Sequence, residues 1–347
     1  MRPTATMASV ASALRRWLDG LAGLQDPSTG LWWSWRGPGA RAYRYEEATA
    51  WVILLAAELR AAGLDGLDGL DTTQIEAGCG ALDAAIASRG GIGRAGRVYA
   101  FDTAVALAAL TAWGGLDRAI ACLHATLDEM RAARCAVTAG HAAGGETAET
   151  RWSEAWGAHM LWACRALTAD DQRVVPDLID ALLPLQRADG AFAVHRASTA
   201  AYAHATAYAA EGLIDCGRAD GVAAAKRAIA ALVAGLGATD TVVAWLPDIE
   251  APPRADNQAP RPAAAIGPAR VPHDSADRRL DATAQLARLL YLADGQDRAL
   301  ADRLINGLIA RTATDGLIPW RDGSADRNSW TTVFAARAAL AALTAKH

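Results

Sequence analysis

Arg279-Leu280-Asp281-Ala282-Thr283-Ala284-Gln285-Leu286-Ala287-Arg288-Leu289 opens a segment, 281–292, whose apolar residues fall on every side of a helix instead of along one stripe. A helix apolar all round is buried all round. Segments 47–62, 102–113 and 154–167 read the same way. Between them stand helices with one charged side, at 12–24, 116–131, 218–236 and 298–311. Ala, Leu and Arg, all strong helix formers, dominate the chain, and no stretch alternates with the period of a strand. The expectation is an all-α protein.

The opening at 279–284 has five counterparts. They are Tyr45-Glu46-Glu47-Ala48-Thr49-Ala50, Phe101-Asp102-Thr103-Ala104, Trp152-Ser153-Glu154-Ala155-Trp156, Tyr202-Ala203-His204-Ala205-Thr206-Ala207 and Ser329-Trp330-Thr331-Thr332. Aligned, they superpose Glu47, Asp102, Glu154, His204, Asp281 and Trp330. The period is about fifty residues, with one longer interval before Asp281. Two helices per repeat and six repeats make a ring of twelve, apolar helices inside and amphipathic ones outside. The long interval holds seven of the chain's 13 prolines between positions 247 and 272, so a loop insertion over 247–278 is expected within a single domain of residues 1–347.

Three loops carry a second pattern: Gln25-Asp26 with Gly30-Leu31-Trp32, Gln186-Arg187-Ala188-Asp189-Gly190-Ala191-Phe192, and Asp315-Gly316-Leu317-Ile318-Pro319-Trp320. They look like degenerate copies of the Gln-Asp-Gly-Trp repeat of terpenoid cyclases. With the helical periodicity, nearly the whole chain resembles the α/α-toroid superfamily. That superfamily includes six-hairpin glycosidases and polysaccharide lyases, and the terpenoid cyclases and prenyltransferases. The resemblance implies an α/α₆ toroid. It speaks to fold far more than to activity. The stretch 202–213 is similar to helices of bacterial toroids associated with polysaccharide metabolism, and 281–289 to uronyl epimerase-like toroids.

Composition narrows the function. With 347 residues, 34 basic against 38 acidic side chains and a formal charge of -4, the chain lacks the cationic excess of a phosphate-tracking nucleic-acid binder. No apolar run reaches the roughly 18 residues of a membrane span, and residues 1–24 lack a signal-peptide core. The five cysteines include no CxxC pair, and His141 and His159 are not spaced as helical metal ligands. A cytoplasmic protein without metal or cofactor is expected, its partner a small-molecule or oligosaccharide substrate. Oligomeric state is left open.

The six helix starts would surround one mouth of the central cavity. Carboxylates suit helix N-termini, where they satisfy free N–H groups. A histidine there does not gain in the same way, so a neutral His204 poised for proton exchange is the sharper reading. Crowded carboxyls raise one another's pKa, which keeps one acid protonated beside an ionised base. Asp102 and Glu154 are therefore the first candidates for acid and base, with Glu47, His204 and Asp281 sharing those roles. Twelve Trp against 6 Tyr and 3 Phe favour flat faces meeting a ligand. Trp33, Tyr45, Trp152, Trp156, Tyr202, Tyr208 and Trp330 are the expected subsites, with Arg279 and Asn328 orienting the substrate. These residues point to a carbohydrate-active hydrolase, lyase or epimerase acting on a glycan, with nearby arginines such as Arg279 suited to an acidic sugar. A terpenoid cyclase is the alternative, although neither Asp-x-Asp-Asp nor Asp-Asp-x-x-Asp occurs. A glycan-binding toroid without catalysis is the third.

Overall fold

The computed structural model describes residues 6–38, 42–64, 69–93, 100–114, 176, 179–180, 182–193, 200–246, 277–293 and 297–345. Among them the chain forms α1 (Met7–Ala22), α2 (Glu46–Ala61), α3 (Thr72–Arg89), α4 (Ala100–Trp113), α5 (Ala203–Cys216), α6 (Ala219–Ala234), α7 (Leu280–Leu292), α8 (Arg298–Ala310) and α9 (Ser329–Thr344). Glu154, Trp152, Trp156 and the proline-rich insertion lie outside the described residues.

The two kinds of helix occupy two layers. Helix α2 is buried at every residue from Glu47 to Ala57, and α7 from Leu280 to Ala287. Helix α3 instead buries Ile75, Gly78, Leu82 and Ile86, a single stripe at three- and four-residue steps. The all-round apolar helices are neighbours: α2 packs on α4, α5 on α7, α7 on α9, and α9 back on α2. Outside them, α3 covers α2, α6 covers α5 and α8 covers α7, while α1 packs against α9. The first helix thus completes the hairpin of the last one and closes the ring. Fully buried Trp17, Trp32 and Trp51 anchor that closure, each contributing about 1.5–3 kcal/mol or more through burial.

One side-chain bond recurs at every described inner helix start. The backbone N–H groups of Trp32, Ile92, Phe192, Val242 and Ile318 donate to the hydroxyls of Thr49, Thr103, Thr206, Thr283 and Thr332, at 2.9, 3.0, 3.3, 3.0 and 3.0 Å. Each bond ties the incoming loop to the first turn of the next inner helix. This register corrects the sequence alignment at one place. The residue two before the threonine is Glu47, His204, Asp281 and Trp330 in four repeats, but Phe101 in the second. Asp102 therefore stands one residue further on, about 100° around its helix.

Short strands, absent from the sequence expectation, clip adjacent loops together. They are β1 (Trp35–Arg36), β2 (Ala201–Tyr202), β3 (Val242–Val243), β4 (Trp245–Leu246), β5 (Arg278–Arg279) and β6 (Arg327–Asn328). The antiparallel pairs are β1–β6, β2–β4 and β3–β5. Buried loop backbone needs partners, and two residues are too few to print a period of two on a sequence.

The cyclase-like loop pattern has a packing explanation. Gln25 donates to the carbonyls of Gly30 and Gln74 at 3.0 and 2.7 Å, and Gln186 to those of Gly190 and Ala224 at 2.9 and 2.8 Å. Each glutamine closes its own turn and staples it to an outer helix. Gly190 and Gly316 have φ of 94° and 80°, and a Cβ there would lie 2.4 Å from the Arg227 carbonyl and 2.1 Å from that of Arg16. The motif builds the wall of the ring.

Candidate active site

At four of the described inner helix starts, two positions face the same space. Tyr45, Tyr202, Arg279 and Asn328 occupy the N-cap positions, and only Asn328 caps its helix, accepting from the Thr331 N–H at 3.0 Å. The other three side chains reach into the cavity instead. Two residues further along come Glu47, His204, Asp281 and Trp330. Together with Asp102, Trp35, Phe101, Tyr208 and Trp320 they line a cavity of about 530 Å³.

Most sequence-derived site residues among those described meet here. Trp33 does not: it is half-buried outside the cavity, with the Arg44 guanidinium 5.1 Å over its ring. Trp32 and Ser34 turn into the core, as alternation in extended chain requires, and of Trp33 and Trp35 only Trp35 reaches the cavity. Phe101 and Trp320 were missed as site residues. Phe101 and Trp320 stood inside the quoted motifs, which was the signal.

The acidic groups fall into two clusters. On α2 and α4, Tyr45 Oη donates to Asp102 Oδ2 at 2.6 Å. Glu47 accepts indole N–H bonds from Trp51 at Oε1 and Trp330 at Oε2, both 2.8 Å. Burial, with the nearby charge of Asp102, pushes the Glu47 carboxyl well above the usual carboxylate range, despite the two indole donors. The Tyr45 phenol is raised by burial and by Asp102, so it stays a proton-bearing donor.

On α5 and α7, Arg279 grips Asp281 through two nitrogens, Nε at 3.0 Å to Oδ1, and donates to the Tyr202 hydroxyl. Burial acts to raise the Asp281 carboxyl, but Arg279 and His204 outweigh it and hold it below its ordinary value. His204 Nδ1 lies 3.6 Å from Asp281 Oδ2. Burial lowers its pKa to about 4, so the imidazole is neutral at pH 7, as a histidine at a helix start should be.

Rings complete the enclosure. Trp35 meets Trp320 and Trp330 edge to face at 5.6 and 6.2 Å, and Tyr45 meets Trp330 at 5.6 Å. One turn deeper, Trp51 stacks on Tyr208 at 6.0 Å and abuts Phe334 at 5.2 Å. Behind Trp51 comes Arg337, whose guanidinium lies 5.0 Å over the indole and bonds Glu58 and Glu211. The wall is layered: polar at the helix starts, aromatic one turn in, ionic behind. Among the described residues no group of His, Cys, Asp and Glu is arranged to hold a metal ion, and no helix is long and apolar enough to cross a membrane.

The architecture is an α/α toroid. Solved structures bear this out: a variant of the type II terpene cyclase MstE from Scytonema, in complex with geranylgeranyl dihydroxybenzoate, aligns with a TM-score of 0.65 over 98% of this chain and 99% of its own, at 16% identity. Unsaturated glucuronyl hydrolase from Bacillus sp. GL1 aligns at 0.61 over 96% of each chain with 13% identity. A heparin-specific unsaturated glucuronyl hydrolase aligns at 0.64 over 96% of this chain and 95% of its own, with 10% identity. No family model matches the sequence, and no curated protein matches it.

Proposed function

We propose that the chain is an enzyme performing general acid–base chemistry on a carbohydrate inside the toroid cavity, with Glu47 as proton donor and Asp102 as its ionised partner. One observation carries this reading: the Glu47 and Asp102 carboxyl groups line one aromatic-walled cavity, and burial plus the charge of Asp102 push Glu47 well above the usual carboxylate range. Bond cleavage at a glycosidic centre needs such a pair. Asp102 takes the partner role in place of Glu154, which lies outside the described residues. Trp35, Trp320 and Trp330 supply flat faces for sugar rings. A neutral glycan is favoured over a uronate, because Arg279, the cation lining the cavity among the described residues, is already held by Asp281. The test is turnover of neutral and acidic oligosaccharides by Glu47→Gln and Asp102→Asn. Each change should lower the rate by about 10²–10⁴ with the fold intact. Near-normal turnover in both variants would remove the proposal.

A specific feature favours a second reading, cyclisation of an isoprenoid. Mutually perpendicular rings around a protonated acid suit a developing carbocation through cation–π attraction. Thermal-shift measurements with oligosaccharides beside isoprenoid diphosphates separate the two. A ligand at 100 times its Kd adds about 2.7 kcal/mol. Stabilisation by the isoprenoid alone selects cyclisation.

A further inference from the structure

Four residues after Glu47, His204 and Trp330 stand Trp51, Tyr208 and Phe334, the aromatic layer. Four residues after Asp281 the equivalent position is instead Gln285. This side chain is 2% exposed, and neither its Nε2 nor its Oε1 is engaged by a described protein atom. Among the described residues His204 Nδ1 likewise is buried with no partner in hydrogen-bond geometry, since 3.6 Å to Asp281 is beyond bonding distance. Leaving a buried amide unsatisfied costs the desolvation of each of its groups, whereas a leucine at this position would cost nothing of the kind. An amide amid rings is therefore poor filler and a good receptor.

We propose that His204 Nδ1, the Asp281 carboxylate and the Gln285 amide form a subsite for a neutral hydroxyl group, at the junction of the polar and aromatic layers. The donor–acceptor pattern sets the ligand class. Asp281 only accepts, the Nδ1 of a neutral His204 accepts or donates according to its tautomer, and Gln285 does both, so an occupant that donates and accepts at once satisfies all three. An anion is repelled by Asp281, and a cation is disfavoured by the neighbouring Arg279. Water or an alcohol fits, as buried polar sites with several partners commonly hold one. Gln285 lies close enough to His204 to act on its imidazole, against the larger lowering by burial, although no bond between the two meets hydrogen-bond geometry. The O–H group is a resident water in the free protein. In a complex it is either that water or a substrate hydroxyl that displaces it, the latter resting on the carbohydrate reading above.

High-resolution crystal structures of the full chain test this, free and soaked with methyl β-D-glucopyranoside, for the wild type and Gln285→Met. The free protein should show one ordered water within hydrogen-bond distance of His204 Nδ1 and the Gln285 amide, lost in Gln285→Met. An amide turned to bond only protein atoms, with no density beside His204, overturns the proposal. With the glycoside bound, a sugar hydroxyl at this position identifies the substrate as the source, and a retained water identifies solvent. Half-saturation should be at least tenfold weaker in Gln285→Met, and unchanged binding would refute the substrate arm. If no sugar enters while the water persists, the carbohydrate reading fails and the subsite stands.

Discussion

Trp330, in the first turn of α9, donates its indole N–H to Glu47 in the first turn of α2 at 2.8 Å, although 283 residues separate them in the chain. The bond joins the last repeat to the first, so closure of the ring and placement of the buried acid are one event. Trp330→Phe keeps the ring face and removes the donor. Glu47 should then be driven further toward its protonated form, and the protein should lose about 1–3 kcal/mol. Urea unfolding and a carbon-13 NMR titration of the carboxyl check the two effects, and unchanged values in both would show that the bond does not hold Glu47.

Acid should weaken the fold through His204. Its pKa is about 4 in the folded chain against 6.5 for the free side chain, so the unfolded state binds more protons between those values. The stability is present above pH 6.5 and is lost as pH falls toward 4, by up to about 3 kcal/mol. Asp281, held low, acts in the same direction, whereas Glu47, held high, acts in the opposite one. Comparing thermal stability of the wild type and His204→Gln from pH 7 to 4 isolates the term. The variant should lose less on acidification, and parallel curves would contradict the buried neutral imidazole.

Arg337 is fully buried and bonds Glu58 at 2.9 and 2.7 Å and Glu211 at 3.1 Å, with Arg288 bonding Glu211 and Glu58 at 2.8 and 3.2 Å. Two arginines and two glutamates thus bridge four inner helices. Arg337→Met leaves the acids with one cation and should cost about 3–5 kcal/mol, measurable by urea denaturation. Burial disfavours its charge, and the two glutamates more than restore it, so the guanidinium remains charged. A loss under 1 kcal/mol would show that the acids had protonated instead.

Thr283→Val should cost about 1–3 kcal/mol, because the buried Val242 N–H would lose its acceptor at 3.0 Å. Thr332→Val should behave alike through Ile318. If the threonines serve only as small core residues, the near-isosteric valines will be neutral in thermal melts.

The register of that threonine bond marks where reading the sequence succeeded and where it fell short. Glu47, His204, Asp281 and Trp330 were found by their shared clusters, since each cluster repeats the same local task of starting an inner helix. Phe101 and Asp102 were interchanged, because two adjacent residues differ in sequence by one step but on a helix by a large rotation. Trp33 was assigned to the cavity for its chemistry, yet it packs under the Arg44 guanidinium and Trp35 takes the cavity position.

What the amino-acid sequence determined by itself was two layers of helix in six similar repeats: all-round apolar helices can exist only inside and one-sided ones only outside, while the packing of the first helix on the last closes them into a ring. Tertiary structure alone decided which acid is paired with which. Glu47 takes its indole donors from α2 and α9, Asp102 its phenol from the end of another repeat, and Asp281 its guanidinium from beside its own helix start. Helical periodicity is a local property and survives in one dimension. The protonation of a buried carboxyl depends on desolvation and on charges brought close by ring closure, and neither exists until the chain has folded.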